Sequence, residues 1–342
     1  MVKRLSQPSE VAVSWPWKWS SRLLPLHLLD EGAGLALLSK APYFQVFPKG
    51  WGAGLSELNK IFELNLPLPM PKIKITWLEE KKDGHLPYQE GTFWVPQSEH
   101  LPEEIRDAHF RFIPPTSPDK KLCLLLAGWG EHGYNLRMRL ARALYEAGIG
   151  TLLLENPFHG RRIVPGRAGT PVLTVAESGY LVHAAVYEGR ALLRYFNDQG
   201  FAVGVSGFSM GGAMAGMIAV SHPHPLPTAL LAAPYSPEVG MLGGLLRRGI
   251  NWKQLSTLKD PEEKLRKLFR QVSLLGLDPP MKGSRIIMMG ARNDRIVRAK
   301  FIEEFHRHWS HSELRWRPGG HISLWLFEVD AMSATIIDSF KK

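Results

Sequence analysis

The sequence predicts an α/β fold, with a mostly parallel sheet that carries helices on both faces. Three observations support this prediction. Short apolar runs such as Leu122–Ala127 and Thr151–Leu154 are typical of strands buried on both faces. Stretches with helical spacing or with small residues separate these runs. With 342 residues, 44% of them hydrophobic, the chain can bury the core of one large domain.

Residues 1–100 are expected to form an N-terminal extension that precedes a main domain at residues 101–342. Trp and Pro are frequent in the first 70 residues, where two helices are predicted, at about Ser21–Leu38 and Leu55–Leu64. Three short alternating segments then predict antiparallel strands at Lys74–Trp77, Thr92–Val95 and His109–Ile113.

From residue 121 onward, predicted strands alternate with predicted helices. After the two buried runs, strands are predicted at Ala202–Val205, Ala229–Ala232, Arg285–Met289 and Leu314–Arg317. Helices are predicted at Tyr134–Ala147, Val175–Asn197, Gly211–Val220, Phe301–Trp309 and Ile322–Phe340. Parallel strands need a crossover connection of this kind, so the alternation predicts a mostly parallel sheet.

Composition and charge argue against several classes of protein. The excess of 42 Lys and Arg over 32 Asp and Glu gives a net charge of +10, but no zinc finger, basic-region helix or RNA-binding signature accompanies it. We therefore expect no nucleic-acid partner. The single Cys123 excludes internal disulfides and Cys-based zinc sites. No apolar run is long enough to span a bilayer, and no signal peptide is expected.

The positive charge has two remaining interpretations. Solvated helix faces are the plain one, and attraction to an anionic substrate or an anionic membrane surface is the other. We expect a cytoplasmic protein, with peripheral membrane contact left open.

The most informative motif is Gly207-Phe208-Ser209-Met210-Gly211-Gly212, which follows the predicted strand Ala202–Val205. The G-x-S-x-G spacing puts the serine on a sharp strand-to-helix turn, so the residues two before and two after it must lack bulk. The small-residue helix that follows directs partial positive charge at a developing oxyanion. A Gly-rich turn without chemistry is the alternative, but the buried strand before it and the helix after it favour a nucleophile at Ser209.

A serine nucleophile needs a general base and a carboxylate that orients the base. His321 is the candidate base, because among the downstream histidines it follows a late strand and directly precedes the last helix. Asp294 is the candidate acid, because it follows the strand Arg285–Met289 and so lies at the same sheet edge as Ser209. Asp278 precedes that strand, and Glu155 comes too early in the chain. Ordinary helix capping is the alternative for Asp294 and His321.

Two backbone N–H groups are expected to bind the oxyanion. One belongs to Met210, directly after the nucleophile. The second should come from the glycine-rich loop after Leu122–Ala127, where Trp129 is the first choice and Gly130 the second. No step of this chemistry requires a metal or another cofactor, and no metal-ligand spacing occurs in the sequence.

Further substrate contacts are predicted in the same loops. His132 follows the expected oxyanion donors and could contact the substrate or only fill the loop. The loop after Thr151–Leu154 leaves its strand at the same sheet edge, so Phe158, His159 and Arg161 could face the pocket. An Arg there could recognise a phosphate or carboxylate, with surface charge as an equal alternative.

The elbow motif, with Asp294 and His321 in that order, resembles the α/β-hydrolase superfamily. Three other stretches resemble, more narrowly, the family of α/β-hydrolase domain-containing protein 18: Gly50-Trp51-Gly52, Leu126-Ala127-Gly128 with Gly130 and His132, and Leu153-Leu154-Glu155-Asn156-Pro157. The similarity runs from about Phe47 to the C-terminus. It implies an α/β-hydrolase fold with a twisted sheet of about eight strands, and a serine hydrolase that acts on lipid or other acyl esters.

A helical lid is expected at about Ser236–Gly283, where apolar residues alternate with basic ones after the strand Ala229–Ala232. Such a lid suits an ester with an acyl chain and an anionic head group, or simply packs on the sheet edge. The expected activity is that of a serine esterase or lipase-like hydrolase, which forms an acyl-enzyme with a small-molecule or lipid ester. A non-catalytic lipid-binding or scaffold protein and an acyltransferase with the same triad are the alternatives.

Overall fold

The computed structural model describes residues 45–63, 70–167 and 172–341. Within these ranges, nine strands form one sheet in the spatial order β1-β2-β3-β5-β4-β6-β7-β8-β9. The strands are β1 (Thr76–Asp83), β2 (Leu86–Phe93), β3 (Ala108–Ile113), β4 (Lys121–Leu126), β5 (Gly150–Leu154), β6 (Ala202–Phe208), β7 (Thr228–Leu231), β8 (Ile286–Ala291) and β9 (Glu313–Arg317). The pairings β1–β2, β2–β3 and β3–β5 are antiparallel, and the remaining five are parallel. The mostly parallel sheet predicted from the sequence is confirmed.

The α-helices of the described residues cover both faces of this sheet. They are α1 (Leu55–Ile61), α2 (Asn135–Glu146), α3 (Val175–Asn197), α4 (Met210–Val220), α5 (Trp252–Leu255), α6 (Pro261–Gln271), α7 (Ala299–His308), α8 (His321–Phe327) and α9 (Val329–Ser339). Helices α3, α4 and α7 pack in one hydrophobic core, whereas α2, α8 and α9 pack in a second core. This layering is the one that strand–helix alternation predicts.

Strand β4 shows why its sequence is a continuous apolar run. Leu122, Leu124 and Leu126 belong to the core that contains α3 and α4, whereas Cys123 and Leu125 belong to the core that contains α2 and α9. Because successive side chains of a strand point to opposite faces, a central strand with helices on both sides needs apolar residues at every position.

The N-terminal part of the described chain joins the main sheet. Strand β2 pairs with β3 along Gly91 and Phe110, so the boundary expected at residue 100 falls between two paired strands of one sheet. A Cβ at Gly91 would lie 2.7 Å from the Phe110 ring, so this pairing needs a glycine there. The helix predicted at Ser21–Leu38 lies outside the described residues.

The prediction of a single C-terminal helix at Ile322–Phe340 is wrong, because the structure has two helices there. Helix α8 ends at Phe327, and α9 begins at Val329. Glu328 between them leaves the helical conformation, with φ −112° and ψ 29°. Its carboxylate accepts a hydrogen bond of 2.8 Å from Arg317 Nε on β9. The break therefore coincides with an ion pair that ties the chain back to the sheet.

The segment between β7 and β8 consists largely of short helical turns, in addition to α5 and α6. Leu255, Leu265 and Phe269 anchor it in the core. Several of its cations are neutralised within the segment, as Arg247 pairs with Glu262, Arg266 with Glu262 and Glu238, and Arg270 with Glu238. The expected basic surface is thus partly cancelled by internal ion pairs.

Candidate active site

Ser209 lies between the end of β6 and the start of α4, in a backbone conformation that residues other than glycine rarely adopt. Its φ is 55° and its ψ is −120°, and a positive φ at a non-glycine residue indicates local strain. A Cβ at Gly207 would lie 2.3 Å from the Gly211 carbonyl carbon, and one at Gly211 would lie 2.3 Å from the Leu126 oxygen. The turn therefore requires glycine at both flanking positions, which is the steric logic of the G-x-S-x-G motif.

Asp294 and His321 form a buried pair at the same edge of the sheet. His321 Nδ1–H donates to Asp294 Oδ2 at 2.7 Å. The other carboxylate oxygen, Oδ1, accepts from the N–H groups of Ile296 and Val297 at 2.7 and 2.8 Å. Both carboxylate oxygens are thus held, and the proton on Nδ1 leaves Nε2 as the basic nitrogen of His321.

Two cavities meet at Ser209. A wider cleft of about 280 Å³ has both Ser209 and His321 in its wall, together with Phe208, Ile322 and Trp325. A narrower cavity of about 70 Å³ extends from Ser209 between α3, α4 and the segment after β7. Within the described residues no hydrogen bond joins the Ser209 hydroxyl to the His321 ring, and such bonds often tighten only when substrate is bound.

The narrow cavity is almost entirely apolar. Met210, Met214 and Met217 of α4 line it, together with Met241 and Phe269 of the segment between β7 and β8. Methionine side chains are flexible and adapt to irregular shapes. His183 of α3 is the titratable group in this wall, and burial lowers its pKa to about 4.

Three successive backbone N–H groups follow β4. The Gly128 N–H donates to Glu131 Oε2 at 3.3 Å, and the Gly130 N–H donates to His159 Nε2 at 3.2 Å. Between them, the Trp129 N–H has no acceptor among the described residues, and Trp129 lines both cavities. The Met210 N–H belongs to the first residue of α4 and so has no acceptor within its helix. The N–H groups of Trp129 and Met210 are therefore both available to a ligand.

The four predicted substrate contacts, His132, Phe158, His159 and Arg161, line neither cavity. Phe158 is buried with φ 64° under the guanidinium of Arg167, and Arg161 forms a 2.7 Å ion pair with Glu90 on β2. His132 Nδ1 accepts from the Gly160 N–H, and the ring of His159 is fully buried. The expectation that these side chains face the pocket is thus corrected, because they hold their loops together instead.

Sequence reasoning missed a buried ion pair behind the site. Arg137 of α2 is buried and bonds Glu131 at 2.8 Å. Its guanidinium also donates to the backbone carbonyl oxygens of Leu125 and Leu154, at the ends of two neighbouring strands. An acidic residue in a glycine-rich loop six positions before an arginine on the next helix is the signal that could have suggested this pair.

Metal sites and membrane-spanning helices are absent from the described residues. No group of His, Cys, Asp and Glu side chains within them could hold a metal ion. No helix in this part of the chain has the length and apolar character needed to cross a membrane.

Three features define the α/β-hydrolase class of fold. They are the sheet order, the serine at the turn after β6, and the Asp–His pair whose members follow β8 and β9. A family model narrows this class. The model described as "alpha/beta hydrolase domain containing 18" matches residues 44–274 and 262–342 of this chain. The chain belongs to this family, as its sequence motifs suggested.

Solved structures of the same fold include several esterases. Acetyl xylan esterase 1 from Thermoanaerobacterium sp. JW/SL YS485 is 15% identical with a TM-score of 0.56, over 90% of this chain and 99% of that one. An acetyl xylan esterase from Paenibacillus sp. R4 is 13% identical, also with a TM-score of 0.56, over 86% and 98%. Est1E from Butyrivibrio proteoclasticus with bound ferulic acid is 15% identical with a TM-score of 0.51, over 69% and 96%. These similarities establish the fold.

Proposed function

We propose that this chain is a serine hydrolase that cleaves carboxylic esters through an acyl-enzyme. The observation that carries the proposal is the 2.7 Å hydrogen bond from His321 to Asp294, beside a serine held at positive φ in the same cleft. Stability alone would not select a strained serine next to an oriented imidazole, and this arrangement suits a nucleophile and its base. The esterases that share the fold support the same reaction class.

In the first half-reaction, Ser209 Oγ attacks the carbonyl carbon of the ester, and its proton passes to His321 Nε2. The Asp294 carboxylate stabilises the imidazolium, and the N–H groups of Trp129 and Met210 bind the negative carbonyl oxygen. The C–O bond to the alcohol then breaks, and His321 Nε2 gives the proton to the departing alkoxide.

In the second half-reaction, His321 Nε2 takes a proton from water, which attacks the acyl carbon on Ser209. Collapse of this second tetrahedral intermediate breaks the bond to Oγ, and the proton on His321 returns to Oγ. The products are a carboxylic acid, an alcohol and the free serine. An alcohol in place of water would give acyl transfer with the same residues.

The two cavities suggest how an ester would bind. The narrow cavity, with its methionine lining, suits the acyl chain, because burial of apolar surface there is favourable. The wider cleft contains His321, which must protonate the leaving alcohol, and therefore suits the alcohol group. We also propose that the segment 236–283 acts as a lid, since Met241, Leu246 and Phe269 line the narrow cavity.

A lipid ester is favoured by the rim of the wider cleft. Leu136 and Leu326 line it with 42% and 44% of their surface exposed, and Phe327 beside them is 70% exposed. Exposed apolar side chains at the mouth of a site favour contact with a lipid surface. Neither cavity is lined by a Lys or Arg of the described residues, so we propose an apolar rather than an electrostatic contact.

Labelling with a fluorophosphonate, followed by mass spectrometry of the adduct, tests the proposal. We expect the label on Ser209 and its loss in Ser209→Ala, along with loss of ester turnover. Ser206→Ala is the control, because Ser206 is a buried serine three residues away on β6 that lines neither cavity, so its loss should leave labelling intact. Turnover that survives Ser209→Ala would overturn the proposal.

The same preparation separates the alternatives. Release of free acid in the presence of glycerol supports hydrolysis, whereas a glycerol ester as the main product would indicate an acyltransferase. A folded protein that takes no label, with or without detergent, would indicate a binding protein.

A further inference from the structure

Two loops beside Ser209 are joined by hydrogen bonds that the reaction scheme above does not use. The β4–α2 loop comprises residues 127–134, and the β5 loop comprises residues 155–162. Four bonds cross between them: Gly130 N–H to His159 Nε2 at 3.2 Å, Gly133 N–H to Glu155 Oε1 at 3.1 Å, Gly160 N–H to His132 Nδ1 at 3.0 Å, and Asn156 Nδ2 to Ala127 O at 3.2 Å. The β5 loop is therefore the scaffold on which the β4–α2 loop rests.

His159 has a special place in this contact, because both of its ring nitrogens are used. Nδ1–H donates to the Pro157 carbonyl at 2.8 Å, which fixes the ring within its own loop. Nε2 accepts from the Gly130 N–H of the other loop, so it carries no proton. The ring is fully buried and cannot exchange this partner for water without moving.

Gly130 depends on such a hydrogen bond for its position. Its φ is +75°, and a Cβ built on it would meet no atom within 4 Å, so packing does not restrain it. Glycine is also the residue with the most backbone freedom. The preceding N–H at Gly128 is held by Glu131, so the peptide units on either side of the Trp129 N–H are fixed by Glu131 and His159.

We propose that His159 is a positioning residue of the hydrolytic site, whose Nε2 holds Gly130 so that the Trp129 N–H stays available to the oxyanion. This inference rests on the proposed function, because an oxyanion donor has a role only if Ser209 is acylated. His159 itself touches neither substrate nor reacting atoms. Its effect is expected on the chemical step rather than on binding, because the oxyanion forms only in the transition state.

Two substitutions distinguish the role of Nδ1 from that of Nε2 in the His159 ring. His159→Asn places an amide near Nδ1, which keeps the contact with Pro157 but is too short to reach Gly130. His159→Gln extends an amide oxygen to the position of Nε2, where it can accept from the Gly130 N–H. His222→Asn is the control, since His222 is also buried and bonds a backbone carbonyl, but lies beyond the far end of α4 from Ser209.

Saturation kinetics with a fluorophosphonate probe give the maximal labelling rate and the half-saturating concentration separately. We expect His159→Asn to lower the maximal rate on the order of 10 to 100-fold at an unchanged half-saturating concentration. His159→Gln should recover to within about fivefold of wild type, because it restores the acceptor. His222→Asn should leave the maximal labelling rate unchanged.

Each outcome has a clear meaning. Asn and Gln variants with equal rates, or a folded Asn variant that labels like wild type, would overturn the inference. Amide hydrogen exchange on the wild-type protein adds a test that needs no variant: Gly128 and Gly130 should exchange more slowly than Trp129, and equal exchange would overturn it. A wild-type protein that takes no label on Ser209 would instead count against the proposed function.

Discussion

At Ser209 the backbone holds a conformation that only its neighbours make possible. The close approach of Gly207 to Gly211, and of Gly211 to Leu126, lets the strand turn into the helix within one residue. Positive φ at a serine costs on the order of 1–3 kcal/mol. The surrounding β6 and α4 are buried and supply the packing that offsets this cost. The strain is therefore local, while the stabilisation comes from two elements.

Asp294→Asn tests the role of the carboxylate with almost no change of shape. The amide oxygen should take the place of Oδ1, because Ile296 and Val297 both donate to it. The amide NH₂ then faces His321 Nδ1, which must accept and so carries its proton on Nε2, where it cannot accept one from Ser209. We expect ester turnover to fall by about 10⁴-fold, the loss typical of this substitution in a Ser-His-Asp triad.

Initial rates with a chromogenic ester, measured together with thermal unfolding, check this prediction. A melting temperature close to that of wild type would show that the loss is chemical. Turnover within tenfold of wild type would mean that Asp294 does not orient the base.

At the scale of single elements, α4 connects Ser209 to the narrow cavity. It begins at Met210, directly after Ser209, and presents Met210, Ala213, Met214 and Met217 to that cavity. The later positions follow Met210 by three, four and seven residues and so lie on one helix face. The same helix thus supplies the proposed oxyanion donor at its first residue and the wall of the proposed acyl site along its length.

Ala213→Leu should obstruct the narrow cavity for a long acyl chain. The larger side chain would project into the narrow cavity next to Ser209 and narrow the path of a long acyl chain. We expect turnover of a decanoyl ester to fall at least tenfold relative to an acetyl ester, because the short acyl group needs little of the cavity. Rates on p-nitrophenyl acetate and decanoate in the same preparation measure the ratio, and the acetate rate is the internal control. An unchanged ratio would place the acyl chain elsewhere.

The sequence was informative about elements whose pattern follows from burial. Helix α3 was predicted at Val175–Asn197 and lies there, because its apolar residues recur at helical spacing and Thr174 caps its start. The strand β4 could be predicted from its continuous apolar run, because helices cover both faces of the sheet there. The candidate triad could be proposed because each member follows a strand, and parallel strands end at one edge of the sheet.

Loop contacts could not be read in the same way. His159 was expected to face the pocket, because its loop leaves the correct edge, but the direction of its ring depends on Pro157 and on Gly130, which lies 29 residues earlier. Arg137 recurs with Arg139 and Arg142 at helical spacing, a pattern that favours a solvated face, yet Arg137 is buried and its partner Glu131 lies in a loop. Such pairs depend on tertiary geometry that no periodicity encodes.

Across the whole molecule, charge lies in the interior as well as on the surface. Arg162 and Glu188 form a fully buried ion pair that ties the β5 loop to α3, and Ser98 donates to the same glutamate. Arg137 and Glu131 similarly tie α2 to the β4–α2 loop. Removing one member of such a pair is strongly destabilising, because it leaves a buried charge. These pairs therefore brace the loops around Ser209 against one another.

The stability of the whole protein should fall as the pH is lowered through the mildly acidic range. Burial lowers the pKa of both His159 and His183 to about 4, whereas in the unfolded chain a histidine titrates near its ordinary value of about 6.5. Between these values the unfolded chain binds protons that the native protein does not bind. Each of the two histidines therefore removes about 1 kcal/mol of unfolding free energy per pH unit as the pH falls from about 6 to 4.5, and little above about pH 7.

Urea unfolding at pH 7, 6, 5 and 4.5 on the wild type and on His159→Gln isolates one of these contributions. Glutamine does not titrate, so the difference in unfolding free energy between the two proteins should shift in favour of the variant by about 1 kcal/mol per pH unit across that window. From about pH 7 upward this difference should no longer depend on pH, because His159 is neutral there in both the folded and the unfolded chain. Parallel curves from pH 7 to 4.5 would mean that His159 binds a proton equally well in the folded protein, and that the hydrogen bond from Gly130 to its Nε2 does not restrict its protonation.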